Sequence, residues 1–301
     1  TYYPPRKSPK ECYEQIIADL TDAEKYAPDN DNSDRTKMTK TVAQAMLAKV
    51  YAEKEVQDYD KVITYADKVI KTTGVELEDS YETLWGYDET TKDCLKRNTK
   101  EGILEVHWTT GSGNWETWMY GRQLDNWDYY FTWAKWITPS RDIINDFEKE
   151  GDEIRKNQAI VYYACTWSNY YPASNYPFMY KLRSSYSNIY WIRLADIILM
   201  KAEAEAYKGN LDESAKLVNQ IRKRAKLKEL TSDKTNSKEA MIEAVLHERR
   251  LELAFEGERW FDLCRNNKVE KYLNGIDNRD KGRIKQVKLF DSNSYLLPIP
   301  Q

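Results

Sequence analysis

Residues 190–226 read YWIRLADIILMKAEAEAYKGNLDESAKLVNQIRKRAK, and this stretch decides the fold. Apolar side chains recur at helical spacing on both sides of Gly209-Asn210, which predicts helices over residues 190–208 and 211–226. A glycine followed by asparagine between two such segments is a signal for a helix end and a turn. Two helices joined by so short a turn, with alanines where they would cross, are typical of a tetratricopeptide unit.

The same pattern occurs near the start of the chain and again near its end. Apolar spacing predicts helices over residues 11–26, 41–55 and 58–72, and the last two form a second antiparallel pair rich in alanine. Residues 237–255 and 258–265 predict two further helices. The chain therefore has helical repeats at both ends.

The central region departs from this pattern. Residues 102–108 alternate apolar and polar side chains and predict one short strand. Ten of the 29 residues from 108 to 136 are aromatic, against 13% of the whole chain, and no regular period is sustained there. A short helix over residues 137–149, capped near Ser140, and a second aromatic band over residues 162–191 follow. Long ordered loops of this kind inside a helical protein are usually where function lies.

Composition excludes several classes of function. With 46 basic and 49 acidic residues in 301, the net charge of −3 gives no general attraction to nucleic acid or to anionic lipid. The four cysteines lie far apart without a C-x-x-C pair, and neither of the two histidines stands in a metal-binding frame, so we expect no metal site and no catalytic triad. The longest apolar run, residues 197–200, is far too short to cross a bilayer.

Five motifs give the chain a resemblance to a known family. They are Arg193-Leu-Ala-Asp-Ile-Ile-Leu-Met-Lys-Ala-Glu-Ala, Asn219-Gln-Ile-Arg-x-Arg-Ala225, Glu248-Arg-Arg-Leu-Glu-Leu-Ala-Phe-Glu-Gly-Glu-Arg-Trp-Phe-Asp-Leu-x-Arg265, Thr138-Pro-Ser-Arg-Asp142 with Phe147-Glu-x-x-Gly-Asp152, and the tail Leu297-Pro-Ile-Pro-Gln301. In their order along the chain these motifs resemble the SusD/RagB-like nutrient-binding lipoproteins of Bacteroidetes outer membranes.

The resemblance implies a function as well as a fold. It implies non-catalytic binding of glycans or related nutrients at the cell surface, without a cofactor, for delivery to a SusC-like TonB-dependent transporter. It also implies attachment to the outer membrane only through an N-terminal lipid anchor. Because members of this family usually carry a longer N-terminal part, we expect that part, including the lipidated cysteine, to be missing from this sequence.

The expected fold is mainly α-helical, with tetratricopeptide-like repeats, an aromatic loop-rich insertion for the ligand, and little β-structure. We expect a single domain over residues 1–301. Within it, residues 1–75 form helical repeats, residues 76–189 form the loop-rich region that faces the ligand, and residues 190–301 form the C-terminal repeats and tail.

Glycan binding gives the aromatic concentration a physical reason, because the apolar C–H face of a sugar packs on an indole or phenol ring while its hydroxyls need polar partners. The predicted stacking residues are Trp115, Trp118, Trp127, Tyr129, Tyr130 and Trp133. The predicted hydrogen-bonding residues are Asn114, Arg122, Gln123, Asp125 and Asn126. The alternative for any single ring is that it packs the loop onto the scaffold.

A second set of residues is interpreted as structural. The charged block is Glu248, Arg249, Arg250, Glu252, Glu256, Arg259, Asp262 and Arg265. Arg249 with Glu252, and Glu256 with Arg259, are three residues apart, which predicts ion pairs along a helix. The aromatic residues predicted to lie in the core are Trp85, Trp191, Trp260 and Phe261.

Two other functions stay open at this point. A tetratricopeptide adaptor would bind a protein partner through residues 41–72, and the aromatic segment would then be neutral. A glycoside hydrolase would need a catalytic carboxylate pair, which the charged block could in principle contain.

Overall fold

The computed structural model describes residues 6–108, 113–121, 137–166, 168, 170–280 and 285–295, and only the backbone of residues 115 and 118. Numbered in chain order, the helices are α1 Pro9–Tyr26, α2 Lys40–Ala52, α3 Tyr59–Ile70, α4 Tyr81–Trp85, α5 Trp115–Tyr120, α6 Arg141–Glu150, α7 Glu153–Ala159, α8 Leu194–Lys208, α9 Leu211–Arg224, α10 Ser232–Thr235, α11 Lys238–Glu252, α12 Arg259–Arg265, α13 Val269–Leu273 and α14 Ile276–Arg279. The strands are β1 Tyr87–Asp88, β2 Asp93–Cys94, β3 Gly102–Val106, β4 Ile160–Tyr163, β5 Tyr176–Met179 and β6 Ile189–Arg193. The structure is mostly helical, as the sequence predicts.

Helices from both ends of the chain share one core. α1 packs on α2, α2 on α3, α3 on α8, and α8 on both α9 and α11. Small side chains at the crossings, among them Ala45, Ala66 and Ala202, are fully buried, which lets the helix axes approach closely. The N-terminal and C-terminal repeats therefore form one continuous array, joined where α3 meets α8.

The helix ends follow the local signals in the sequence. Ser237 accepts a hydrogen bond from the backbone N–H of Ala240, and Ser140 accepts one from Ile143, so both serines act as N-caps. Gly209 has a φ of +85° and ends α8 in the left-handed conformation that glycine adopts without a steric penalty. The predicted helix–Gly-Asn–helix unit is confirmed.

The start of α8 is the main error of the sequence prediction. Residues 190–193 belong to β6, which pairs antiparallel with β3, and the helix begins only at Leu194. In this strand Tyr190 and Ile192 are buried while Trp191 between them is 64% exposed, which is the alternation of a strand. The predicted strand at residues 102–108 is confirmed as β3, and its partner is the segment that was predicted to be helical.

The central region holds more regular structure than the sequence predicts. A one-and-a-half-turn helix, α5, lies inside the aromatic segment, and β4 pairs with β5 as an antiparallel hairpin-like sheet. In the described part of the chain the remaining sheet is the two-residue pair of β1 and β2.

Three aromatic residues are placed differently from the prediction. Trp191, Trp260 and Phe261 were predicted in the core, but they are 64%, 36% and 56% exposed. Trp260 and Phe261 lie in α12, whose buried face is formed by Asp262 and Leu263 instead. Trp85 is in the core, as predicted, at 5% exposure.

The charged block is buried and structural, but its ion pairs cross between elements. Arg249 binds Asp196 of α8 at 2.7 Å and Asp262 of α12 at 2.9 Å, so the predicted pair with Glu252 is wrong. Arg259 has no ion pair to Glu256. A buried charge is tolerated only when it is paired and hydrogen-bonded, and these partners meet that need across the helix array.

The centre of this block is the Glu252 cluster, which we define as Glu252 with Arg155, Arg193, Arg224 and Tyr81. The Glu252 carboxylate accepts hydrogen bonds from Arg193 at 2.6 Å, from Arg224 at 2.5 Å, from Arg155 at 3.2 Å and from the Tyr81 hydroxyl at 2.5 Å. Burial alone would raise the pKa of this carboxyl group, but the three guanidinium groups hold it well below its usual range. The cluster joins α4, α7, β6, α9 and α11 at one point.

Candidate functional site

The aromatic segment begins at a firmly held point. The backbone N–H of Asn114 donates to the carbonyl of Ser185 at 2.6 Å, and the Asn114 side-chain amide donates to the carbonyl of Ser187 at 3.3 Å. The amide oxygen of the same side chain accepts hydrogen bonds from the backbone of Glu116 and Thr117 and so caps α5. Asn114, predicted to contact ligand, is buried, and its side-chain amide is hydrogen-bonded within the protein on both sides.

The end of α5 is also held closely. Gly121 forms an isolated bridge with Met179 of β5. A Cβ atom added at Gly121 would lie 2.3 Å from the carbonyl oxygen of Leu182, so only glycine lets the two backbones approach this closely. Gly121, the residue that precedes segment 122–136, therefore lies beside the end of β5.

The same strand holds the point where that segment returns. The Thr138 hydroxyl donates to the carbonyl of Pro177 at 3.0 Å, and the Tyr171 hydroxyl donates to the carbonyl of Pro139 at 2.7 Å. Pro177 and Met179 are two residues apart on β5, a rise of about 7 Å along a strand. Gly121 and Thr138, on the two sides of segment 122–136, thus both contact one short strand.

Arg97 fixes the approach to the segment. Its Nη2 donates to the carbonyls of Trp108 at 2.9 Å and Tyr186 at 3.1 Å, and to both carboxylate oxygens of Asp93. Its Nη1 donates to the side chain of Asn188 at 2.6 Å. One guanidinium therefore ties together β2, residue Trp108 just after β3, and the turn that anchors α5.

Two tyrosines that the sequence analysis did not select are exposed next to these roots. Tyr162 and Tyr163 lie on β4, opposite Pro177 and Tyr176 of β5, and they are 37% and 39% exposed. Partial burial raises the pKa of the Tyr162 hydroxyl, so this ring stays neutral at physiological pH. Two adjacent tyrosines in the second aromatic band are a signal in the sequence for an aromatic surface, although the sequence analysis predicts no role for that band.

Most of the predicted contact residues lie outside the described residues. These are Arg122, Gln123, Asp125, Asn126, Trp127, Tyr129, Tyr130 and Trp133. The backbones of Trp115 and Trp118 lie in α5, and the positions of their side chains are likewise outside the description. What the structure describes is the set of contacts made by the residues on either side of segment 122–136.

Two carboxylates of the charged block, Glu252 and Asp262, are poorly suited to act as general acids. Both are held by arginines, and for Asp262 the guanidinium groups of Arg249 and Arg265 outweigh burial and lower the pKa of the carboxyl group. A carboxylate kept ionised in this way is a poor proton donor, because general acids need a pKa near the working pH. Within the residues that the structure describes, no three His, Cys, Asp or Glu side chains form a group that could hold a metal ion. No described helix is long and apolar enough to span a membrane.

Comparison with known proteins gives consistent matches. The model of the SusD family matches residues 100–301. SusD-like protein P2 of Formosa agariphila is 27% identical over 98% of this chain and 63% of its own length, and SusD-like protein P38 of the same organism is 39% identical over 33% of this chain and 21% of its own. The chain thus spans less than two thirds of the length of these curated relatives.

Solved structures share the fold. A laminarin binding SusD-like protein superposes with a TM-score of 0.72 at 23% identity, over 98% of this chain and 67% of that one. A SusD superfamily protein from Bacteroides vulgatus superposes with a TM-score of 0.71 at 24% identity, over 92% of this chain and 61% of that one. With two thirds of the chain matched by the family model and the helical array in agreement, the chain belongs to the SusD family.

Proposed function

We propose that this chain is a non-catalytic glycan-binding protein whose aromatic segment, residues 108–136, supplies the stacking surface. The observation that carries the proposal is the concentration of ten aromatic residues in a segment whose described residue Gly121 contacts β5, as does Thr138 just after the segment. Fixed flanking residues reduce the conformational entropy that a binding segment loses when it takes up a ligand.

The comparisons support the choice of ligand class. One structural relative is described as laminarin binding, and laminarin is a neutral glucan whose rings present apolar C–H faces. Such faces match indole and phenol rings, while the polar residues Arg122, Gln123, Asp125 and Asn126 offer partners for hydroxyl groups.

Location and delivery form the finer part of the proposal. The bound nutrient is passed to a TonB-dependent transporter of the SusC type, and the full-length protein is held at the outer membrane surface by an N-terminal lipid anchor. Membership of the SusD family supports both statements. Co-purification of the full-length protein with an outer membrane transporter from the native cells tests the delivery step, and a surface protease treatment of intact cells tests the location.

Isothermal titration with laminarin oligosaccharides and a panel of other glycans tests the binding site. At about 1 kcal/mol for each stacked ring, the double variant Trp127→Ala/Trp133→Ala loses affinity by roughly 30-fold while its melting temperature stays that of the wild type. The matched control is Trp191→Ala, which removes an indole that is exposed outside the segment. Equal affinity of the double variant and the wild type would contradict the proposal.

Two further results separate this function from the alternatives. Shortened products after prolonged incubation with a glycan would indicate a hydrolase. Loss of a protein partner on substitution in α2 or α3, with glycan binding absent, would indicate an adaptor.

A further inference from the structure

A cavity of about 250 Å³ lies where the ends of α6, α11, α13 and α14 meet, and nothing above assigns it a role. Its walls are largely apolar, with Phe255, Leu273 and Ile276 among them. Its charged lining consists of Arg250, Arg259 and the carboxylate of Asp142, which is paired with Arg250 at 2.9 Å. An apolar hollow with a few convergent polar groups is the usual form of a small-molecule site. Its volume suits a fragment of about one sugar residue rather than a whole oligosaccharide.

Arg259 has few partners for so enclosed a cation. Its Nη1 donates to the carbonyl oxygen of Leu246 at 3.0 Å, and its guanidinium lies 4.8 Å from the centre of the Tyr272 ring. Among the described residues no carboxylate lies within ion-pair distance of Arg259. A guanidinium carries five N–H donors, so most of its hydrogen-bonding capacity stays available.

The neighbouring arginines show how unusual this is. Arg249 binds Asp196 and Asp262, Arg250 binds Asp142 and Asp146, and Arg265 binds Glu203 and Asp262. The carboxylates bound by Arg250 lie on α6, and those bound by Arg265 lie on α8 and on its own helix, α12. Arg259 is in the same block of sequence and has no such partner in the described part of the protein.

The electrostatic surroundings of Arg259 favour an anion. Burial lowers the pKa of this guanidinium to about 10, the nearby charge of Arg250 adds to the effect, and the Asp262 carboxylate, which lies beyond ion-pair distance, offsets only part of it. The group is charged at neutral pH and has no directly paired carboxylate among the described residues, so part of its desolvation cost remains. An oxyanion in the cavity would supply the missing partner in the two-pronged geometry that arginine favours.

The position of the cavity connects it with the proposed ligand surface. Thr138 and Ser140 line its rim, and Thr138 is the residue whose hydroxyl anchors the returning end of segment 122–136 on β5.

We propose that the cavity binds the oxyanion group, a carboxylate or a sulfate, of an acidic saccharide, and that Arg259 is its anion partner. The saccharide part rests on the proposed function, whereas the anion part stands on the cavity and on Arg259 alone. The apolar wall formed by Phe255, Leu273 and Ile276 would face the C–H surface of the ring.

Titration of the protein with four probes tests the proposal: glucuronate, glucose 6-sulfate, glucose and acetate. We expect the two acidic sugars to bind at least about tenfold more tightly than glucose and acetate. Arg259→Gln should weaken their binding at least tenfold, whereas Lys223→Gln, which removes an exposed cation from α9, should leave it unchanged. Equal binding of glucose and glucuronate, or equal affinity of Arg259→Gln and wild type, would overturn the anion site. Acetate binding as tightly as glucuronate would overturn the saccharide assignment.

A second variant shows whether a loss of binding comes from the cavity itself or from unfolding of the protein. Ile276→Trp fills the cavity and keeps the charge, so it should also lose the acidic sugars, and circular dichroism should show both variants folded. If Ile276→Trp binds glucuronate as the wild type does, the ligand does not occupy this cavity. The variant Trp127→Ala/Trp133→Ala should still bind glucuronate, so a failure of the aromatic site and a failure of the Arg259 site give different results.

Discussion

Replacing Glu252 by glutamine tests whether the Glu252 cluster stabilises the scaffold by its charge. The substitution keeps the shape of the side chain but removes the negative charge shared by Arg155, Arg193 and Arg224. It also places an amide N–H₂ group against donors that cannot accept from it. Removing one partner of a buried ion pair costs about 3–5 kcal/mol, because the remaining charge is left without compensation.

That cost is a large fraction of the total for a domain whose free energy of unfolding is about 5–15 kcal/mol. Urea denaturation followed by circular dichroism at pH 7 should therefore show a midpoint lowered by about 1 M with an unchanged slope. The matched control is Glu229→Gln at an exposed site, which should stay within about 0.5 kcal/mol of the wild type. A loss of less than 1 kcal/mol for Glu252→Gln would refute the reasoning.

The pH dependence of stability tests whether the charge of Glu252 causes its contribution. The pKa of Glu252 is depressed in the folded protein, so its contribution is fully present above the ordinary value of 4.5 and is lost as pH falls through the folded value. The difference between wild type and Glu252→Gln should therefore be constant above about pH 5 and should narrow by about 1.4 kcal/mol for each pH unit below 4.5. A difference that stays the same at pH 3.5 would show that charge is not its cause.

Two further predictions concern the root of the ligand segment and the placement of indole rings. Gly121→Ala should lower the free energy of unfolding by about 1–3 kcal/mol and weaken glycan binding in titration calorimetry, because the added Cβ atom would overlap the Leu182 carbonyl. The control is Gly113→Ala, whose Cβ atom would lie 3.4 Å from its nearest neighbour. This variant should be tolerated in both assays. Trp85→Ala should cost about 3–5 kcal/mol in urea denaturation, since the ring is buried, and Trp191→Ala should stay within about 0.5 kcal/mol because its ring is mostly in water; similar losses for the two would contradict the burial assigned to them.

The helical frame could be predicted because its signals are local. Ser140, Ser237 and Gly209 each act on the backbone within a few residues of their own position, so a single stretch of sequence suffices to place them. The family motifs gave the order of the elements for the same reason. The boundaries that failed depend on contacts from elsewhere in the chain.

The strand β6 is the clearest case of such a failure. Residues 190–193 are apolar enough to continue a helix backwards from Leu194, and nothing within the stretch shows that it pairs with β3. The pairing sets the exposure of Trp191, which faces water although its type favours the core. The buried face of the short helix α12 is also predicted wrongly. A seven-residue element gives too little periodicity to distinguish its buried face from its exposed one.

The partners of the charged block could not be read from sequence spacing. Arg193, Arg155 and Arg224 lie 59, 97 and 28 residues from Glu252, whereas a helical spacing rule considers only neighbours three or four residues away. The candidate site was located by composition alone, since stacking rings need no fixed spacing. Its frame required the structure, because the roots at Gly121 and Thr138 are defined by contacts to β5.

The Glu252 cluster and the described start of the aromatic segment are connected through two neighbouring residues, Lys181 and Leu182. Lys181 donates to the backbone carbonyl of Glu252 at 3.0 Å and to the carboxylate of Glu256 at 2.5 Å. The next residue, Leu182, carries the carbonyl group against which Gly121 is packed. The root of the aromatic segment is thus one residue away from the most heavily paired part of the core. A frame fixed by several buried ion pairs resists deformation there, because each charge would lose its partner if the root moved. This gives a physical reason why the described start of an aromatic-rich segment adjoins a strongly charged interior.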